Sequence, residues 1–151
     1  ITYGSVRGLG WNALAYLAFS GSAQLLKWWS LKGGYTFLEK KLVVKPDSKD
    51  LNKGTNESDD ANNQFLIQSM FDLPKRIEGG FVFRYVDVLV NRYVPSYMSL
   101  DAQLSWKAAK WLQLSVVGQN LLDEEHPEFI PSSPSPRLIA RSFYGKITIR
   151  I

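Results

Sequence analysis

The sequence has 151 residues, 45% of them apolar and 21% charged, with no cysteine and a formal net charge of +4, a composition typical of folded domains rather than disordered chains. Without cysteine there is no disulfide-stapled scaffold, thiolate metal site or cysteine nucleophile, and the single histidine, His126, excludes any mechanism that needs two imidazoles. The basic residues are scattered rather than gathered into a stripe, so no nucleic acid is expected as a partner.

Because the sequence opens on Ile1, it reads as a processed or truncated piece. Its longest strongly apolar stretch runs only from Ala13 to Phe19, against roughly 18 or more residues for a membrane-spanning helix. Helical membrane proteins are thereby excluded.

In chain order, the first strands are expected at residues 14–26, 29–44, 64–73 and 76–90, which carry small, aromatic and β-branched residues at strand lengths. Residues 1–6 could supply one more. Later segments alternate more cleanly. In 100–106, Leu100, Ala102, Leu104 and Trp106 share one face, with Asp101, Gln103 and Ser105 on the other. In 111–122, Leu112, Leu114 and Val116 oppose Gln113, Ser115 and Gln119, and at the C-terminus Ile147 and Ile149 oppose Lys146, Thr148 and Arg150. Seven strands result.

The connections alternate in length. Lys27-Trp28, Pro74-Lys75 and Ala108-Ala109-Lys110 are short turns, whereas 45–63, 91–96 and 123–140 are longer, polar or proline-rich and expected to be solvated loops. Short turns at one end of a meander and long loops at the other are the habit of transmembrane β-barrels. The aromatic residues point the same way. Trp28, Trp29, Trp106 and Trp111 lie beside short turns, and Tyr35, Phe37, Phe65, Tyr85, Tyr93, Tyr97, Phe143 and Tyr144 toward the other strand ends. Two aromatic belts around an apolar band suit the two interfaces of a bilayer. A soluble antiparallel sandwich, the alternative, gives tryptophan no reason to sort to one end.

Several motifs in order carry a family resemblance: Gly118-Gln119-Asn120-Leu121-Leu122-Asp123, His126-Pro127-Glu128-Phe129 and Arg141-Ser142-Phe143-Tyr144-Gly145-Lys146. Supporting stretches are 28–39, Asp72-Leu73-Pro74, Arg84-Tyr85-Val86-Asp87 and 100–106. Together they resemble the C-terminal end of TonB-dependent outer-membrane receptors, from about residue 14 onward. The resemblance implies an all-β, antiparallel up-and-down meander, residues 1–151 being the last seven or so strands of a plug-filled transmembrane barrel in the bacterial outer membrane. It implies TonB-dependent uptake of a scarce nutrient such as a ferric siderophore or cobalamin. The partners would be outer-membrane lipid, the plug domain and remaining strands, the TonB complex through the N-terminal part, and a small ligand such as a metal chelate. The chain departs from the family pattern in ending on Ile151 rather than phenylalanine, and in lacking an acidic residue within 16–22. A stand-alone small outer-membrane barrel of structural or adhesive role is the other reading, since residues 1–6 could complete an eight-stranded set.

On either reading Lys32, Gln68, Arg84, Asp101, Gln103, Gln113, Gln119, Lys146 and Arg150 should face the lumen, and Leu104, Leu112, Leu114, Val116, Ile147 and Ile149 the lipid. His126 with Glu124, Glu125 and Glu128 lacks the convergence of a metal site, and the acidic loop 47–60 lacks calcium-loop spacing. With no nucleophile beside a base and no phosphate-cradling glycine loop, neither catalysis nor a cofactor is expected.

Overall fold

The computed structural model describes residues 2–4, 12–41, 60–89, 94–129 and 137–150. Expectations that fall on 42–59, on Tyr93 or on Ile151 lie outside these. The described chain is all-β. Its strands are β1 (Thr2–Gly4), β2 (Asn12–Leu26), β3 (Trp29–Lys41), β4 (Asn63–Leu73), β5 (Ile77–Val86), β6 (Tyr97–Trp106), β7 (Leu112–Gln119), β8 (Glu125–Phe129), β9 (Arg137–Ala140) and β10 (Ser142–Ile149). One 3-10 turn, Pro74–Arg76, joins β4 to β5. No described helix is long and apolar enough to cross a membrane.

The main sheet runs in the order β1-β2-β3-β4-β5-β6-β7-β10, antiparallel throughout, each strand beside its predecessor except where β10 follows β7. It is therefore an up-and-down meander of seven long strands with the three-residue β1 at one margin. No pairing joins β1 or β2 to β10 among the described residues, so the sheet is open there.

The 123–140 connection differs from expectation. It contains the hairpin β8–β9, a separate two-stranded sheet. Four prolines between 127 and 136 hide it in the sequence. Proline lacks a donor, but in a two-stranded ribbon each strand has a free side on which the missing N–H is harmless. Pro127 pairs opposite Leu138 in this way, next to an irregularity in register.

Register divides the side chains sharply. Residues directly opposed in an antiparallel pair share a face, so the chains Lys32↔Gln68↔Val82↔Asp101 and Gln103↔Val117↔Tyr144 mark one face. The chains Trp29↔Phe71↔Gly79↔Leu104↔Val116 and Trp106↔Leu114↔Ile147 mark the other. The first is mainly polar and the second mainly apolar. Every substantial contact between elements runs between hydrogen-bonded neighbours, so the sheet is a single layer.

It has almost no core. Among the described residues the buried apolar side chains are Ala61, Val94 and Val117, whereas Val116, Phe143 and Ile147 are 62%, 68% and 70% exposed. The hydroxyl of Ser69 stands on the apolar face only because it is buried and accepts a 2.8 Å hydrogen bond from the Trp29 indole N–H.

Candidate functional site

The polar face and the strand ends that frame it hold the chemically useful groups. Two hollows open on this face. One of about 390 Å³ crosses β2 to β5 and includes Ser20, Thr36, Gln64 and Arg84. The other, about 320 Å³, reaches from Gln68 and Met70 on β4 to Tyr144 on β10, over Glu78, Val82, Asp101, Gln103, Val117 and Gln119. Side chains on five adjacent strands can line one hollow only if the sheet bends toward them, so the polar face is the concave one.

Eight of the nine side chains expected to point inward share this face by register, and Arg150 follows one residue beyond β10, but they are not gathered at one point. Gln68, Asp101, Gln103 and Gln119 line the second hollow, and Arg84 the first. Gln113 and Arg150 border a smaller hollow of about 170 Å³ at the short-turn edge. Lys32 and Lys146 lie on the face outside these three. Tyr144, which alternation in the C-terminal strand puts on the same face as Lys146, Thr148 and Arg150, also lines the second hollow, as do Met70, Glu78 and Val82, which are not among the expected residues. Strand parity is the signal for these three, obscured because Met70 and Val82 are apolar.

A connected polar network lies around Asp101. The Arg84 guanidinium pairs with its Oδ2 at 3.4 Å, and the backbone N–H of Asn120 donates to its Oδ1 at 2.9 Å. Asn120 adopts a left-handed backbone (φ 54°), which asparagine tolerates better than most residues. Its Nδ2 donates to the Ile139 carbonyl at 2.8 Å, tying the β8–β9 hairpin to the end of β7. The buried His126 ring stacks on Tyr97 with centroids 4.4 Å apart, a second tie between hairpin and sheet. Deeper along β6 and β7, Ser105 and Ser115 share a buried 2.8 Å hydrogen bond, and Gln103 donates to Ser105 at 3.1 Å.

The aromatic belts need one correction. Tyr97 and Tyr144 lie on the polar face, because each has the strand parity of its polar neighbours. Tyr35, Phe65 and Tyr85 form the loop-side belt on the apolar face, joined by Phe19 and Phe83. The turn-side belt is a stack of Trp28, Trp29, Phe71 and Phe81, with neighbouring centroids 6.1 to 6.4 Å apart. At the loop edge the Tyr35 hydroxyl donates to Asn63, whose Nδ2 donates to Asp87 at 2.9 Å. That bond, together with donation from the Val88 N–H and the Tyr85 hydroxyl, holds the Asp87 carboxyl below the usual aspartate range.

Among the described residues no group of three or more His, Cys, Asp or Glu side chains is arranged to hold a metal ion. The arrangement offers hydrogen-bonding amides, a few charges and hollows open to solvent. A comparison with protein-family models found no match to the chain.

Proposed function

We propose that the chain is wall from a TonB-dependent outer-membrane receptor, its apolar face in lipid and its polar face toward a plug-filled lumen. One observation carries the membrane part: among the described residues the sheet is a single layer, its apolar face is uncovered and almost nothing apolar is buried. A soluble domain packs a second layer onto such a face; a lipid bilayer takes the place of that layer.

Dimensions support the same reading. The eleven-residue β4 spans about 36 Å at roughly 3.3 Å per residue, which projects to about 28 Å at a tilt near 40°, close to the ~25 Å apolar band of outer-membrane barrels. Aromatic clusters flank that band at both levels. The receptor part rests on the ordered motifs at 118–123, 126–129 and 141–146, which resemble that family's C-terminal strands. Transport of a ferric siderophore, cobalamin or a similarly scarce ligand follows from that resemblance.

The test is uptake. Cells expressing the full-length gene should carry the protein in the outer-membrane fraction and accumulate a labelled iron chelate or cobalamin only when TonB is intact. Recovery in the soluble fraction would overturn the membrane reading, and uptake indifferent to TonB the receptor reading.

Pairing of β1 with β2 favours a second reading, because it brings the main sheet to eight strands, the smallest number found in single-chain outer-membrane barrels. A stand-alone small barrel of structural or adhesive role predicts that these 151 residues close by themselves in detergent and migrate differently after boiling.

A further inference from the structure

The two edges of the sheet differ in charge. Lys27, Lys75, Arg76, Lys107, Lys110 and Arg150 stand at the short-turn edge against Asp72 and Glu78, whereas the described loop edge mixes Glu39, Asp60, Asp87, Asp123, Glu124 and Glu125 with Lys40, Lys41, Arg137 and Arg141. Indoles accompany the cations: Lys27 precedes Trp28, and Lys107 and Lys110 lie between Trp106 and Trp111. The Ile77↔Trp106 pairing brings the 74–76 turn beside this group.

A hollow of about 530 Å³ opens there, lined by Lys75, Arg76, Ile77, Trp106, Lys107 and Ala108. Ile77 and Trp106 belong to the apolar face; Lys75 stands at its rim, and Arg76 and Lys107 border both this hollow and the smaller one on the polar side. Glu78 pairs with Lys107, but among the described residues Lys75 and Arg76 have no carboxylate partner. Both also have left-handed backbone, φ 63° and 62°, a costly conformation for residues other than glycine that the fold nevertheless keeps.

We propose that this hollow binds the phosphate headgroup of an anionic glycerophospholipid, with the acyl chains lying along the apolar face past Ile77, Trp106 and Leu104. The proposal rests on the membrane reading above and adds a ligand class to it. Two cations with no carboxylate partner among the described residues supply the charge that a phosphate monoanion and its glycerol-borne neighbours require. The Trp106 indole, half-exposed at 50%, has the amphipathic character of a residue at headgroup depth. Long basic side chains at such a rim keep their stems on apolar surface and their charges in the headgroup layer. A free phosphate would use only the cationic half of this surface; a phospholipid uses both.

The test uses the full-length protein in vesicles, with a bimane label on Leu104→Cys, a position 55% exposed on the apolar face. Brominated phosphatidylglycerol and brominated phosphatidylcholine are compared as quenchers. Phosphatidylglycerol should be favoured by about fivefold for each of these cations engaged. The preference should collapse in Lys75→Gln/Arg76→Gln, persist in Arg141→Gln at the opposite edge, and shrink in about 0.5 M salt, where the Debye length falls below roughly 5 Å. Equal quenching by both lipids in the unsubstituted protein would overturn the headgroup site and leave the membrane reading intact. Quenching by neither would overturn both. Loss of the preference on adding soluble glycerol phosphate would show a simple anion site and overturn the lipid assignment. Should the double variant fail to insert, the salt titration and the glycerol phosphate competition on the unsubstituted protein decide the matter alone.

Discussion

Gly80 shows how closely neighbouring strands approach. A Cβ built on it would lie 2.5 Å from the Ser69 carbonyl oxygen and 2.6 Å from the Met70 sulfur. The sulfur could swing away, but the carbonyl belongs to the sheet ladder and cannot move without disturbing its pairing. At Gly145 the nearest atom to such a Cβ is 3.9 Å away, an ordinary contact. Gly80→Ala should therefore destabilise the sheet by about 1 to 3 kcal/mol, and Gly145→Ala by much less, as read from unfolding midpoints in detergent. Asp87 gives a pH dependence of known sign. Its folded-state pKa is lowered, first by the Asn63 amide, then by the Val88 N–H and the Tyr85 hydroxyl. The stabilisation is therefore complete above the ordinary aspartate pKa and is lost as pH falls through the lowered folded value. Stability measured from pH 7 downward should fall at the acid end more steeply in the unsubstituted protein than in Asp87→Asn.

At the scale of elements, the Asn120 amide on the Ile139 carbonyl and the His126 ring on Tyr97 tie the described part of the β8–β9 hairpin to the main sheet, and the Arg141 N–H on the Glu124 carbonyl closes the hairpin's own base. An aromatic stack of this kind contributes about 1 kcal/mol. His126→Ala should therefore speed hydrogen exchange in β8 and β9 about fivefold and leave β4 to β6 unchanged, as measured by exchange mass spectrometry. The hairpin was not legible in the sequence, because the prolines around it are ordinarily loop signals. The long strands were legible, because alternation from Leu100 to Trp106 and from Leu112 to Gln119 fixes which side chains share a face whatever packs against them. Strand ends were less so. The β5 strand stops at Val86 because the Asp87 carboxylate accepts from the Val88 N–H, a local bond that β-propensity does not register. The β6 strand starts at Tyr97, three residues before clean alternation begins. The second hollow was half legible. Gln68, Asp101 and Gln103 declare themselves as polar, but Met70, Val82 and Tyr144 reach the same hollow through parity alone.

For the whole molecule, the question is what medium covers the apolar face, and a depth series answers it. Val116 lies midway along that face, opposite Leu104 and 62% exposed. Leu112 shares its parity at the short-turn end of β7, beside the turn that carries Lys110 and Trp111. Gln113 is on the polar face. If lipid covers the apolar side, an arginine at position 116 must stay near the bilayer midplane, whereas one at 112 can extend its guanidinium to the headgroups. Val116→Arg should then cost about 2 to 4 kcal/mol in a bilayer refolding assay, Leu112→Arg no more than about 1, and Gln113→Arg little. A second protein layer over the same face would give another ranking. There the penalty would follow how tightly each site is packed rather than its distance from the turn edge, and it would persist when the bilayer was replaced by detergent. Equal losses at 112 and 116, unchanged between bilayers of different thickness, would exclude lipid as the covering medium and with it the barrel-wall reading of this sheet.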